Sequence, residues 1–340
     1  MNADWQNYLG AQGARVVDGS VYDFGDAARE LVAARDATVA VPMAQMALLE
    51  FTGEDACTFL HNQLTSDVNH LEEARAQYAA WCSPKGRMLA SFLLFRRGAN
   101  YLAMVPADLV DYLQKRFQMY VLRSKVKISR CPDEVIVGLS GPQAATALRE
   151  AGLTVPESAL GTTGVGQSTI ICLDDTRFIA VLPVNAALEA WPRFTTVAAP
   201  AGTPTWQWLD IVAGIPWITT ISQDAFVPQM VNFDGIGGVS FHKGCYPGQE
   251  VVARARYLGK VKRHLYRAHA TAPIMAGATV VPMETPESPC GQIVNAAAAP
   301  GGGYDVLAVV LEEAVGSGKL QVVNTEGAYI DLSGLILTKE

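Results

Sequence analysis

The apolar positions of this chain fall into strand-like and helix-like runs that alternate along its first two thirds. In "MALLEFTGEDACTFLHNQL" a β-rich run ends at Phe51 and a helical period follows. The spacing predicts strand, turn, helix, with Thr52 as cap and Glu54 and Asp55 in the first helical turn, where negative charge is favoured. The pattern returns in "VIVGLSGPQAATALREAGL". Ser140 stands for Thr52, Gly141 for Gly53, Ala144 for Ala56, Thr146 for Thr58 and Leu148 for Leu60, all at one spacing. Pro142 is expected just inside the second helix, where its missing N–H is harmless. Two such units predict a duplicated α/β module, each a sheet with helices on one face.

Other segments fit around this repeat. "RMLASFLLFRRGANYLAMVP" and "TIICLDDTRFIAVLP" read as β-hairpins, the second turning at Asp174, Asp175 and Thr176. "ADLVDYLQKRFQMYVLRSKVKI" reads as an amphipathic helix leading to a strand. "PAGTPTW" marks a boundary, and "WQWLDIVAGIPWI" predicts a helix that stops near Gly214. Beyond about residue 260 come short β-like runs, among them "HLYRAHA", "GATVVP", "GQIVNAA", "DVLAVVLEEAV", "LQVVN" and "AYIDLSGLIL", separated by Gly, Pro and Asn. They predict a small antiparallel barrel or sandwich as a separate C-terminal domain. The first forty residues, polar and Ala-rich, read as a loose leader with a short helix.

Composition narrows the classes. With 340 residues, half of them apolar and 17% charged, the chain has material for a sizeable core and two or three domains. A net charge of -7 argues against broad nucleic-acid binding, although a local basic patch stays compatible. "MNADWQNYLGAQGAR" lacks a basic start followed by an apolar stretch, so no signal peptide is expected. No apolar run approaches the roughly 18 residues of a membrane span. The expectation is a cytoplasmic protein. Six cysteines without a C-x-x-C pair exclude a zinc or iron–sulfur site built from local spacing, and they read mostly as reduced, buried side chains. Cys245 is set apart by its glycine, lysine and tyrosine neighbours.

Several weaker signals carry no site. "GTTGVGQS" has Gln167 where a P-loop needs lysine, and a β-like run follows it instead of a helix. "GIGGVSF" lacks the spacing and context of a dinucleotide fingerprint. His61, His70, His242, His264 and His269 never pair at i, i+4, and each reads as a surface or core side chain. No G-x-S-x-G elbow is present.

"KGCYPGQEVVARAR" is richer. Gly244, Pro247 and Gly248 force a tight loop, so a helix begins only after it, with Gln249 and Glu250 in its first turn. Lys243 brings positive charge near Cys245, which favours thiolate. The loop reads as a site presenting a reactive or metal-binding sulfur with a carboxylate and a basic rim. It reads equally as a tight interdomain turn with a buried cysteine.

The same stretch resembles the K-G-C-Y-x-G-Q-E signature of the YgfZ family, and "VVARARYLGKVKR" continues it as that family does. "HNQLTSDV" resembles the family's Q-x-T-x-D segment and "CSPKGRMLASFLLFR" its K-G-[KR]-M strand. "AGIPWI" and "FVPQMVNFDGIGGVSF" resemble the lead into the signature. The family is related to the glycine-cleavage T-protein, a tetrahydrofolate-dependent aminomethyltransferase. The resemblance implies an α+β, T-protein-like three-lobed ring: two related α/β lobes and a C-terminal antiparallel β-barrel, with folate in a central opening. The division it suggests is a leader at 1–40, a folate-binding region at 41–255 (lobes 41–133 plus 205–255, and 134–204) and a barrel at 256–340.

It also implies a tetrahydrofolate-binding protein, or one binding a one-carbon derivative, that assists assembly or repair of iron–sulfur clusters in client enzymes, tRNA-modifying ones included. Its partners would be folate and client proteins or assembly factors, with no direct nucleic acid and no membrane, the chain acting as a monomer. Cys245 is the functional cysteine by position. Lys243, Tyr246, Gln249, Glu250 and Arg254 match the signature, and Gln63, Thr65, Asp67, Lys85 and Arg87 match motifs that line the opening. Lys85, Arg87 and Arg254 are the candidates to meet the carboxylates of a glutamate tail. Ala90 and Ser91 occupy the places of the T-protein's acidic pair, and Val212 the place of a pterin-facing glutamate, with Asp210 nearby. Neither Ala90 nor Ser91 has a group to act as base or to stabilise an iminium cation. The alternatives are a folate-dependent aminomethyltransferase or demethylase, and a non-catalytic interaction scaffold.

Overall fold

The computed structural model describes residues 1–259, 261–316, 319–323 and 328–335. The chain begins with α1 (Ala3–Ala11), a hairpin of β1 (Arg15–Val17) and β2 (Ser20–Asp23), and α2 (Ala27–Asp36). The expected loose leader is therefore ordered. Asn2 and Asp26 cap the two helices by accepting backbone N–H groups, and Trp5, Leu9 and Val21 are buried in one core with Trp191 and Phe194. Each helix buries only two apolar side chains, Trp5 and Leu9 in α1 and Leu31 and Ala34 in α2, too few for a period to show in an Ala-rich sequence.

The repeat is visible in the strands. After β3 (Val39–Pro42), the first copy runs β4 (Met46–Thr52), α3 (Ala56–Gln63), β5 (Ala76–Cys82), β6 (Met88–Arg97), β7 (Asn100–Pro106), α4 (Val110–Val121) and β8 (Lys127–Arg130). The second runs β9 (Glu134–Ser140), α5 (Ala144–Glu150), β10 (Thr162–Val165), β11 (Ser168–Cys172), β12 (Arg177–Pro183), α6 (Val184–Phe194) and β13 (Ala199–Pro200). Their sheets have the orders β5-β6-β7-β4-β8 and β10-β11-β12-β9-β3-β13. The first four strands of the two orders correspond; β3, from ahead of the first copy, then takes the place beside β9 that β8 takes beside β4, and β13 adds a sixth strand parallel to β3.

Gly53 and Gly141 turn the chain between strand and helix at φ +112° and +118°. A Cβ on Gly53 would lie 2.1 Å from the Lys125 carbonyl oxygen and one on Gly141 2.2 Å from that of Ala37, so both glycines let the backbone leading into the neighbouring strand approach. These turns displace the expected caps. Thr52 and Ser140 end strands, and Glu54, Asp55 and Pro142 precede the helices. Asp55 instead accepts the Lys125 N–H at 2.7 Å, Glu54 pairs with the Lys125 ammonium, and the Thr38 hydroxyl accepts the Gln143 N–H at 2.8 Å.

α7 (Thr203–Val212) stops at Gly214, which has φ +70°, and α8 (Gln249–Tyr257) follows the signature loop. Then β14 (Arg263–Ala270), β15 (Thr279–Pro282), β16 (Gly291–Ala298), β17 (Tyr304–Leu311), a short α9 (Glu312–Val315), β18 (Leu320–Val322) and β19 (Tyr329–Leu335) complete the chain. The six strands close a barrel, β14-β17-β16-β15-β18-β19, with antiparallel pairings throughout. Closure removes the exposed edges that so short a sheet would present. The expected strands "LQVVN" and "AYIDLSGLIL" are β18 and β19, while Asn324, Ile336 and Leu337 lie outside the described residues.

By its contacts the chain forms two compact units. One comprises Met1–Phe59, Asn69–Gln77 and Phe92–Trp206, the other Leu60–Val68, Tyr78–Ser91 and the chain from Gln207 onward. Within the second, the Trp208 indole donates to Asp305 of the barrel at 2.8 Å. Asn295 of β16 exchanges hydrogen bonds with the backbone of Trp217 at 3.0 and 3.1 Å. No helix among the described residues is long and apolar enough to cross a membrane.

Gly141→Ala should destabilise the protein by about 3 kcal/mol or more. Gly13→Ala, at φ +91° with open space around it, should cost only about 1–2 kcal/mol. Denaturant midpoints of the two variants check this; equal losses would contradict the close-approach role of Gly141.

Candidate functional site

Two segments of the second unit, far apart in sequence, meet backbone to backbone. Ser83–Arg87 forms a tight turn between β5 and β6, closed by the Ser83 N–H to the Arg87 carbonyl and the Gly86 N–H to the Ser83 carbonyl, both 2.8 Å. Gly248 begins α8 at φ +80°. A Cβ on Gly248 would lie 2.4 Å from the Ser83 carbonyl oxygen and 2.7 Å from the Gly86 Cα, and one on Gly86 would lie 2.7 Å from the Val251 Cβ. The K-G-R turn and the P-G-Q-E loop therefore fit only because each contributes a glycine.

Lys243 anchors the other end of the signature loop. Its ammonium donates to the carbonyls of His61 and Leu64 and lies 4.9 Å from the centroid of the Tyr246 ring. The carbonyls follow from the chain path, since α3 ends at Gln63 and leaves its last C=O groups without helical partners. Burial pulls the Lys243 pKa down to about 8, while Asp67 and Cys245 pull it the other way. Lys243 thus holds the loop, and the hydrogen bonds of its ammonium among the described residues go to backbone oxygens. Tyr246 is buried and its phenol is pushed up by that burial. Cys245, between them, is exposed. Cys82, at the end of β5, is buried and its thiol is pushed up to about 12.

The remaining expected residues divide into those used internally and those with free capacity. The Thr65 hydroxyl donates to the Gly238 carbonyl and accepts the Ala80 N–H. The Arg87 guanidinium donates through Nη1 to the carbonyls of Ala225 and Asp224, which braces the turn. Gln63 has a buried amide oxygen with no hydrogen-bond partner among the described residues. Lys85 is exposed at the tip of the turn with no ion pair among the described residues. Arg254 and Glu250 form an exposed i, i+4 pair at 2.9 Å, and Gln249 is half-buried beside them. Ala90 and Ser91 are fully buried, and the Ser91 hydroxyl accepts the Ile218 N–H at 2.9 Å. Asp210 accepts the Trp217 indole N–H at 2.9 Å, and Val212 is exposed.

His61 was read as a surface or core side chain. It is buried with Nδ1 3.2 Å from Asp67 Oδ1, and its Nε2 would lie 3.5 Å from a Cβ on Gly244, next to Cys245. Its position inside the "HNQLTSD" segment, six residues before Asp67, was the available signal. Among the described residues no three His, Cys, Asp or Glu side chains converge as a metal site.

Residues 8–179 match the family of the GCVT N-terminal domain. The chain is similar to the glycine cleavage system aminomethyltransferase T from Bartonella henselae, with a TM-score of 0.82 and 16% identity over 98% of this chain and 97% of that one. It is also similar to the tRNA-modifying protein YgfZ of Yersinia pseudotuberculosis serotype O:1b (strain IP 31758), 36% identical over 65% of this chain and 67% of the relative. The protein of that name from Yersinia enterocolitica serotype O:8 / biotype 1B (strain NCTC 13174 / 8081) is 35% identical over the same shares. Fold and family match define a protein of the glycine-cleavage T-protein class, with the α+β sheets and antiparallel barrel expected of it. Within that class the chain belongs to the YgfZ family.

Lys243→Met should leave two carbonyls without a donor and cost about 1–3 kcal/mol. Since the folded pKa lies below the unfolded one, the unfolded chain holds a proton that the folded chain has lost between pH 8 and roughly 10.4. Wild type should therefore gain stability relative to Lys243→Met as pH rises through that window. Denaturation at pH 7 and pH 9 measures this, and an unchanged difference would contradict it.

Proposed function

We propose that this protein binds tetrahydrofolate or a one-carbon derivative and, through Cys245, assists assembly or repair of iron–sulfur clusters in client enzymes in the cytoplasm. The observation that carries the reading is the exposed Cys245 on a loop pinned at Lys243 and Gly248. All five other cysteines are buried or half-buried. An exposed thiol on a fixed loop can accept a cluster iron or a sulfur from a partner. With no metal-ligand group among the described residues, an iron held at Cys245 would draw its other ligands from the client. The relatives' name, tRNA-modifying protein, supports placing tRNA-modifying enzymes among the clients.

The residues present fit a folate. Gln63 offers a buried amide oxygen, without a partner among the described residues, to a ring N–H. Lys85, without an ion pair among the described residues, and Arg254, in a surface ion pair with Glu250, would meet the tail carboxylates. Bound folate supplies carriage of a one-carbon unit. Aminomethyl transfer is disfavoured because Ala90 carries no polar group and the Ser91 hydroxyl is already a hydrogen-bond acceptor.

In cells lacking the native gene, wild type should restore a cluster-dependent tRNA modification read by nucleoside mass spectrometry. Cys245→Ala should leave it at the level of the gene-less cells while melting at the wild-type temperature. Full restoration by Cys245→Ala would remove the thiol from the proposal.

A further inference from the structure

Helix α4 buries Val110, Leu113 and Phe117 and turns its other face to solvent. That face carries Tyr112, Lys115, Arg116 and Met119 at helical spacing, and Arg123 follows just beyond the helix end. Met119 is 63% exposed and Leu122, just past the helix end, is 88% exposed. Leu122 also sits at φ +45°, a region that suits glycine. Exposure of two large aliphatic side chains and a strained backbone at one of them are two separate costs in the same place.

The surrounding charge is opposite to that of the chain. Of the cations here, Lys125 pairs with Glu54 and Arg130 with Asp111. Lys115, Arg116, Arg123 and Lys127 have no carboxylate partner among the described residues. Among the described residues the Arg116 guanidinium donates to the Met119 sulfur, at 3.8 Å. In a protein of net charge -7, this is a local basic field around an apolar centre.

We propose that this face docks an acidic protein segment, which presents an apolar side chain to Met119 and Leu122 and its carboxylates to Lys115, Arg116 and Arg123. A polyanion such as RNA would use the cations but gain nothing from two aliphatic chains that have no ring face for base stacking. An apolar anchor ringed by charge-complementary contacts is the usual composition of a protein contact. The proposal is independent of the folate reading, because every residue in it lies in the first unit and the candidate site lies in the second.

The test uses the full-length protein and a labelled glutamate-rich helical peptide with leucines along one face, followed by fluorescence anisotropy. Saturable binding is expected, weakened roughly tenfold by Leu122→Gly, by Met119→Ser and by the Arg116→Glu, Arg123→Glu pair. Leu122→Gly should also raise the melting temperature, since glycine accepts this backbone, so its loss of binding cannot be unfolding. A peptide with serines for the leucines should not bind. Absence of saturable binding overturns the proposal. So does binding that falls with charge reversal yet ignores Leu122→Gly and Met119→Ser while tRNA binds the same face, which would mark a polyanion surface. Self-association through this face that the peptide does not displace would likewise overturn it.

Discussion

The site depends on a close approach of two backbones, Gly86 in the turn after β5 and Gly248 at the start of α8. With no side chain at either position, the turn carrying Lys85 and the loop carrying Cys245 lock into one assembly. Any Cβ there would push the helix off the turn, and Val251 closes the remaining space over Gly86. The rest of the site hangs from this contact. Arg87 and Ser83 tie the turn to the segment around Asp224, and Lys243 ties the far end of the loop to carbonyls at the end of α3.

The two copies of the repeat have diverged at corresponding hairpins. In the first, the β5–β6 connection is the K-G-R turn of the site. In the second, the β10–β11 connection is a plain tight turn at Gly166, with φ +62°. That is the place of "GTTGVGQS", whose glycines serve a hairpin and not a phosphate cradle. The corresponding hairpins of the two copies thus differ: one carries the turn that meets the signature loop, the other is a plain turn.

Much of this was legible in the sequence because it rests on local patterns. The hairpins, the stop at Gly214, the start of α8 at Gln249 and the six barrel strands follow from apolar period and turn residues. So does the repeat, since Gly53 and Gly141 carry the same backbone demand in both copies. What stayed hidden depends on partners distant in the chain. Thr65 and Arg87 match ligand-lining motifs, yet their polar atoms go to backbone carbonyls and N–H groups of remote segments. Lys243 stands near Cys245 in sequence but points its ammonium at His61 and Leu64. His61 has no motif of its own, and only folding places it beside Asp67 and Gly244. The ordered N-terminal segment was missed because Trp5 and Leu9 find their core in α6, nearly two hundred residues away.

The central claim is that Gln63, Lys85 and Arg254 hold a folate near the exposed thiol. Anaerobic calorimetric titration of the full-length protein with tetrahydrofolate, beside the Lys85→Ala, Arg254→Ala double variant, tests it most directly. The account predicts saturable binding that the variant weakens by about tenfold or more, the worth of one charge-assisted hydrogen bond to a tail carboxylate. Wild-type protein that takes up no heat at high ligand concentration, or a variant that binds as tightly as wild type, would contradict it.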